Sequence, residues 1–255
     1  MGYNFAVSGA VAADLQSQAQ SFLDAMSASH TAEEWKLLTV LVGGNNLCDV
    51  CNDAAGNSDT LFETAMAASF DKLVRLPRLV INVPLHPDYT QLAGLFGGVC
   101  DIVLDIVCPC MASPSGSDVL LAREYVGRYN TKLASLVTRF NGAEFDSVRG
   151  LGTRFVLQPV GDSTDFSADQ SLVADDCFHP SSKGQALLAR GVWNNMMQPA
   201  GSKSTSVDTA SDTVCPVLAT TLYGPTDPTP LCFGEPTISF CNGVRKYWGN
   251  GPPVS

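Results

Sequence analysis

Three short apolar runs limit this chain more than any other feature. Residues 35–42, Trp-Lys-Leu-Leu-Thr-Val-Leu-Val, form a near-continuous apolar stretch that ends in Gly43-Gly44-Asn45-Asn46. Residues 79–83, Leu-Val-Ile-Asn-Val, form a second, stopped by Pro84, and residues 154–158, Arg-Phe-Val-Leu-Gln, a third, ended by Pro159. Runs of this length without polar alternation are expected of parallel strands covered on both faces. Between them lie segments of helical period. One runs from about residue 12 to 28, with Leu15, Ala19, Phe22, Leu23 and Met26 in step. Others run from an N-capping Ser58 to about residue 76, from Ser117-Asp118 to about Phe140, and from Ser182 to Met197. Residues 4–10 read as a further short buried strand turning at Gly9, and residues 84–116 as a looser segment holding Cys100, Cys108 and Cys110. Strands alternating with helices predict an α/β fold on a parallel sheet, whose site lies beyond the carboxyl ends of the strands. Gly9, Asn45 and His179 each follow an expected strand, so all three can converge on that edge.

A length of 255 residues is enough for one large domain with its own core. After Pro199 the texture changes. Residues 201–212 are rich in Ser, Thr and Asp, and Pro-rich turns with Cys215, Cys232 and Cys241 follow. The expected organisation is a domain over 1–199 and, over 200–255, a flexible stretch and a small disulfide-pinned tail. The net charge of −10 gives no basic footprint for nucleic acid or anionic membranes, and is read as serving solubility.

Nine cysteines, among them Cys48-x-x-Cys51 and Cys108-Pro-Cys110, favour disulfides and an oxidising compartment. A zinc or thiol protein is the alternative, but no second matched pair stands at zinc-finger distance. The odd count leaves one thiol free or paired outside the chain. No Asn-x-Ser/Thr sequon occurs. No run approaches the roughly 18 apolar residues of a membrane span, and Met1-Gly-Tyr-Asn is not a signal peptide. A secreted-looking cysteine pattern without a leader suggests a chain that is incomplete at its N-terminus.

Asp176-Cys177-Phe178-His179 carries the chemistry. A carboxylate three residues before an imidazole can hold one ring nitrogen while the other faces a nucleophile, as general base and orienter do in a serine hydrolase. His30 and His86 sit in polar connecting segments and receive no role. Nothing matches a phosphate-cradling loop or a dinucleotide fingerprint.

Residues 4–10, the stretch Gly43-Gly44-Asn45-Asn46-Leu47-Cys48-x-x-Cys51 and Asp176-x-x-His179 together resemble the second, third and fifth conserved blocks of the SGNH (GDSL) hydrolases. The details resemble most the phospholipase B-like branch. That branch writes Gly-x-Asn-Asp-Leu-Cys-x-x-Cys, then Asp-Cys-Phe-His and a Trp-Asn-Asn-Met helix, matched here by Trp193-Asn194-Asn195-Met196 and, upstream, by Phe155-Val-Leu-Gln-Pro159. The resemblance covers roughly residues 3–199. It implies a three-layer α/β/α sandwich of flavodoxin-like strand order. It implies an ester hydrolase of the secretory pathway or cell exterior, acting on phospholipid or lysophospholipid acyl esters without metal or cofactor. His179 would be the base and Asp176 its orienter. The Gly9 N–H and the Asn45 amide would be oxyanion donors, each worth about 3–4 kcal/mol of transition-state stabilisation. Cys177 would be disulfide-bonded rather than a thiol nucleophile.

The chain departs from that pattern in two places. Asn46 replaces the usual Asp, a residue more structural than chemical. The first block, a strand and a Gly-Asp-Ser-Leu turn bearing the nucleophile, is absent, so the serine is expected upstream of this sequence. Gly161-Asp162-Ser163 spells part of that motif, but Thr164 stands where Leu is expected, and Ser163 is read as a surface-loop residue. The family's first strand is central to its sheet. Without it two rows of backbone groups lose partners, at roughly 1–3 kcal/mol for each buried group. The expectation is an incomplete product rather than a folded enzyme. A catalytically silent homologue that keeps the fold as a binding or structural module is the alternative.

Overall fold

The computed structural model describes residues 3–28, 34–112, 116–167, 169–199, 201–208 and 210–214. His30, Cys215, Cys232, Cys241 and the expected disulfide-pinned tail lie outside the described residues.

Three strands, β1 (Lys36–Thr39), β2 (Leu79–Pro84) and β3 (Arg154–Gln158), form a parallel sheet in that order. Leu38 pairs with Ile81, and Ile81 with Phe155, so these three side chains share one face. That face receives α1 (Leu15–Ala28), α3 (Asp59–Leu73) and α5 (Ser117–Asn141). Their stripes meet Leu79, Ile81, Val83 and Phe155 in one core, with Phe70 against Phe140 and Phe155 at its centre. Ser58 caps α3 as expected, its side chain accepting from the Leu61 N–H. On the other face Asn82 bonds Gln158 and reaches Met196 of α6 (Ser182–Met196). Helices therefore lie on both faces, and the chain is α/β with three layers.

Four sequence expectations need correction. Residues 4–10 form no strand and are largely exposed. Strand pairing needs a neighbour, and these seven residues pair with none of the three strands. Second, β1 is not covered on both faces. Leu37 and Leu41 are half exposed on the side that α6 covers at β2. Third, two helices carry no clear signal in the sequence. The six-residue α2 (Gly44–Asp49) begins at the Gly43 turn, and α4 (Val99–Val107) lies inside the segment expected to be looser. Fourth, residues 201–214 are not a free linker where they are described. Trp193 Nε1 donates to the Val214 carbonyl, Asn194 bonds Asp212 and Val214, and Lys203 Nζ donates to the Asn195 and Gln198 carbonyls at the end of α6.

The cysteines pair as Cys48–Cys108, Cys51–Cys110 and Cys100–Cys177. The first two bind α2 and the residues just after it to the region after α4, consuming the four thiols that the zinc alternative needed. Three disulfides fit a non-cytosolic, oxidising compartment. Among the described residues no helix is long and apolar enough to cross a membrane.

Candidate active site

The carboxyl ends of the three strands open into one apolar cavity of about 370 Å³. Leu41 and Val42 follow β1 into its wall, Leu85 follows β2, Val160 follows β3, and Leu188 and Val192 of α6 close it. Asn45, Phe178 and His179 line the same space.

The Asp176–His179 turn is built locally. The Ala174 N–H donates to the His179 carbonyl and the Cys177 N–H to the Ala174 carbonyl, while Val173 bridges Pro180, folding residues 173–180 back on themselves. One oxygen of Asp176 accepts from the Phe178 and His179 N–H groups at 3.1 and 2.9 Å. Its other oxygen lies 2.8 Å from His179 Nδ1. Partial burial pushes the Asp176 carboxyl up, but the two backbone donors and the His179 ring outweigh it, and its pKa sits below the ordinary value. A carboxylate on Nδ1 leaves the lone pair of a neutral imidazole on Nε2, as a general base requires. Cys177 holds a positive φ of +63°, uncommon for a side-chain-bearing residue, and its disulfide to Cys100 holds the turn from outside. Its sulfur is not a free nucleophile.

The second wall is the turn after β1. Gly43 has φ +122°, and a Cβ there would stand 2.8 Å from Phe62 and 3.0 Å from His86 Nε2, so only glycine fits. The turn presents two asparagines with different duties. Asn46 is buried, accepts from the Ala12 N–H at 2.8 Å and donates to Asn57. Asn45 donates one amide hydrogen to the Ala10 carbonyl at 2.8 Å, and an amide carries two. Through this pair, residues 10–12 dock on α2. Gly9 itself has φ +77° and is exposed, and it is Ala10 rather than Gly9 that lines the cavity. Ser163 is exposed and bonds Thr205 through both its backbone N–H and its hydroxyl. It does not line the cavity.

His86, which the sequence leaves without a role, is buried beneath this turn. Its backbone N–H and carbonyl both bond the Asn130 amide, at 2.8 and 2.9 Å. Its ring packs among Phe62, Tyr89 and Tyr129, with Nδ1 3.3 Å from the Tyr89 hydroxyl. Burial brings its pKa down to about 4, against a smaller opposing pull from the Val42 backbone, so the ring is neutral near pH 7. The signal available in the sequence was Asn130. An amide within the apolar stripe Val126, Tyr129, Leu133 must find a buried polar partner.

The sequence model of the GDSL-like lipase/acylhydrolase family matches residues 1–192. The chain belongs to that family. It is 32% identical over 221 residues to the human protein named phospholipase B1, membrane-associated, and 31% identical over 226 residues to the rat protein of that name. Each alignment covers 80% of this chain but 15% of the relative, so the chain spans about a seventh of their length. No solved structure matches. Membership fits a parallel α/β sheet whose Asp-His pair and Asn-bearing turn meet at one cavity.

Proposed function

We propose that this chain supplies most of a phospholipase B-like site that hydrolyses acyl esters of phospholipids or lysophospholipids. The observation that carries this reading is the His179 imidazole, held by Asp176 at 2.8 Å, lining the same apolar cavity as the Asn45 amide. His179 takes the proton of a serine hydroxyl as the serine attacks the ester carbonyl, then returns it to the departing alcohol. Asp176 fixes the tautomer and stabilises the imidazolium. The free hydrogen of the Asn45 amide receives the charge that develops on the carbonyl oxygen, while Gly9, which does not line the cavity, is not given that part. The apolar cavity takes the acyl chain, and no step needs a metal or cofactor. The serine is supplied from outside residues 1–255, since no serine is among the described residues that line the cavity and Ser163 is engaged by Thr205 away from it. The compartment is the secretory pathway or the cell exterior.

Two readouts of one experiment test this. The intact protein is incubated with phosphatidylcholine and lysophosphatidylcholine, and a serine-directed fluorophosphonate is mapped by peptide sequencing. The expected result is fatty-acid release from either lipid, blocked by the phosphonate, with the label on a serine outside 1–255. A label on Ser163 moves the nucleophile into this chain. Failure both to take the label and to release acyl chains favours the silent homologue.

A further inference from the structure

The nine residues of α4 include four exposed apolar side chains. Val99 is 75% exposed, Ile102 64% and Ile106 75%, and Val107 adjoins them. Positions 99, 102 and 106 lie three and four apart, so they form one stripe along the helix. Only Leu104 is fully buried. Single exposed apolar residues are ordinary, whereas a contiguous apolar stripe marks an interaction surface.

We propose that α4 is the element by which this protein docks on the surface of a zwitterionic lipid assembly. The inference rests on the lipid-ester reading of the cavity and adds how the substrate surface is met. Both ends of α4 are tied to the cavity rim. At its start Cys100 is bonded to Cys177, between Asp176 and His179. Just past its end Cys108 is bonded to Cys48, and this pair packs with Met111 against Tyr89 and Phe178, both of which line the cavity. A surface that takes up the stripe therefore holds the catalytic turn at a fixed distance from itself. The apolar rim continues in Val7 and Leu41, both exposed and both lining the cavity.

The charge pattern selects the lipid. The charged residues of α4 are Asp101 and Asp105, and no Lys or Arg occurs from Gly94 to Ala122. Interfacial helices that seek anionic lipid carry a basic polar face. An acidic one is repelled by an anionic leaflet and accepted by a zwitterionic one, where apolar insertion supplies the attraction.

The test compares the intact protein with its I102S/I106S variant. Both side chains are exposed, so folding is kept, and a matching thermal transition verifies this. Flotation with phosphatidylcholine vesicles should fall by roughly tenfold or more in the variant. Hydrolysis of vesicular lipid should fall in parallel, while turnover of a monomeric short-chain ester stays unchanged. Parent protein should bind vesicles enriched in phosphatidylserine more weakly than phosphatidylcholine ones. Equal flotation of parent and variant overturns the proposal, as does preference for the anionic vesicles. So does a parent dimer in light scattering that the variant abolishes, since α4 then serves a second copy. If neither protein cleaves any ester but flotation still depends on Ile102 and Ile106, the docking surface stands and the hydrolase reading fails.

Discussion

β1 and β2 are neighbouring parallel strands of similar composition, yet they meet different surroundings. Every residue of β2 is buried. In β1 the residues alternate, with Lys36 buried, Leu38 half-buried, and Leu37 and Thr39 exposed. The register explains the difference. Leu37 pairs with Val80 and Thr39 with Asn82, so these four share the face that α6 covers. α6 reaches Asn82 through Met196, but no described element lies over Leu37. An apolar run reports that a strand can be buried on both faces. Whether it is depends on what is stacked above it. The consequence reaches the site, because the Gly43–Asn45 turn grows from the half-covered strand. That turn is held from beneath instead, by Phe62, His86 and the Asn46 amide.

The contrast between the two strands has four measurable consequences. The largest effect is expected in β2, where Ile81→Ala removes a fully buried side chain from the core and should cost about 3–4 kcal/mol in urea unfolding. A loss under about 1 kcal/mol there would show that the sheet is loosely packed throughout. The support under the turn should appear as pH dependence. His86 moves from an ordinary 6.5 to about 4 on burial, so the unfolded chain binds the extra proton first as pH falls. Its contribution of roughly 3 kcal/mol is complete above pH 6.5 and is lost between there and about pH 4. His86→Gln should flatten that part of the stability profile, and an unchanged slope would remove His86 from the account. Gly43→Ala forces a Cβ toward Phe62 and His86 at a positive φ, and should cost about 2 kcal/mol while lowering turnover more than it lowers stability. The smallest effect is Leu37→Ala on the open face, within about 0.5–1 kcal/mol. A cost near that of Ile81→Ala would mean that Leu37 is covered in the intact protein.

The parts legible in the sequence were those whose signals are local. Each of the three strands, and α3, α5 and α6, carries its own periodicity or cap. The Asp176–His179 contact spans three residues and needs no other part of the chain. The parts that were not legible depend on distant partners. Residues 4–10 are apolar enough for a strand, but a strand exists only with a neighbour. α4 lies in a segment punctuated by glycine, proline and cysteine, and its apolar stripe is exposed rather than packed on the core that the other helices share. His86 stands among prolines and polar residues, yet it is buried by Phe62 and Tyr129, which come from two helices distant from each other in the chain. The pairing of Cys48 with Cys108 and of Cys51 with Cys110 could not be derived from spacing, since several connectivities satisfy the same count.

In the function proposed above, His179, held by Asp176 at the Asn45 cavity, is the base of an ester hydrolase. The most direct test is the turnover of His179→Ala in the intact protein on a soluble ester. His179 is largely exposed, so the thermal transition should stay in place. A fall in kcat of roughly a thousandfold or more is expected, with that transition unchanged. Turnover within a few-fold of the parent would contradict that role.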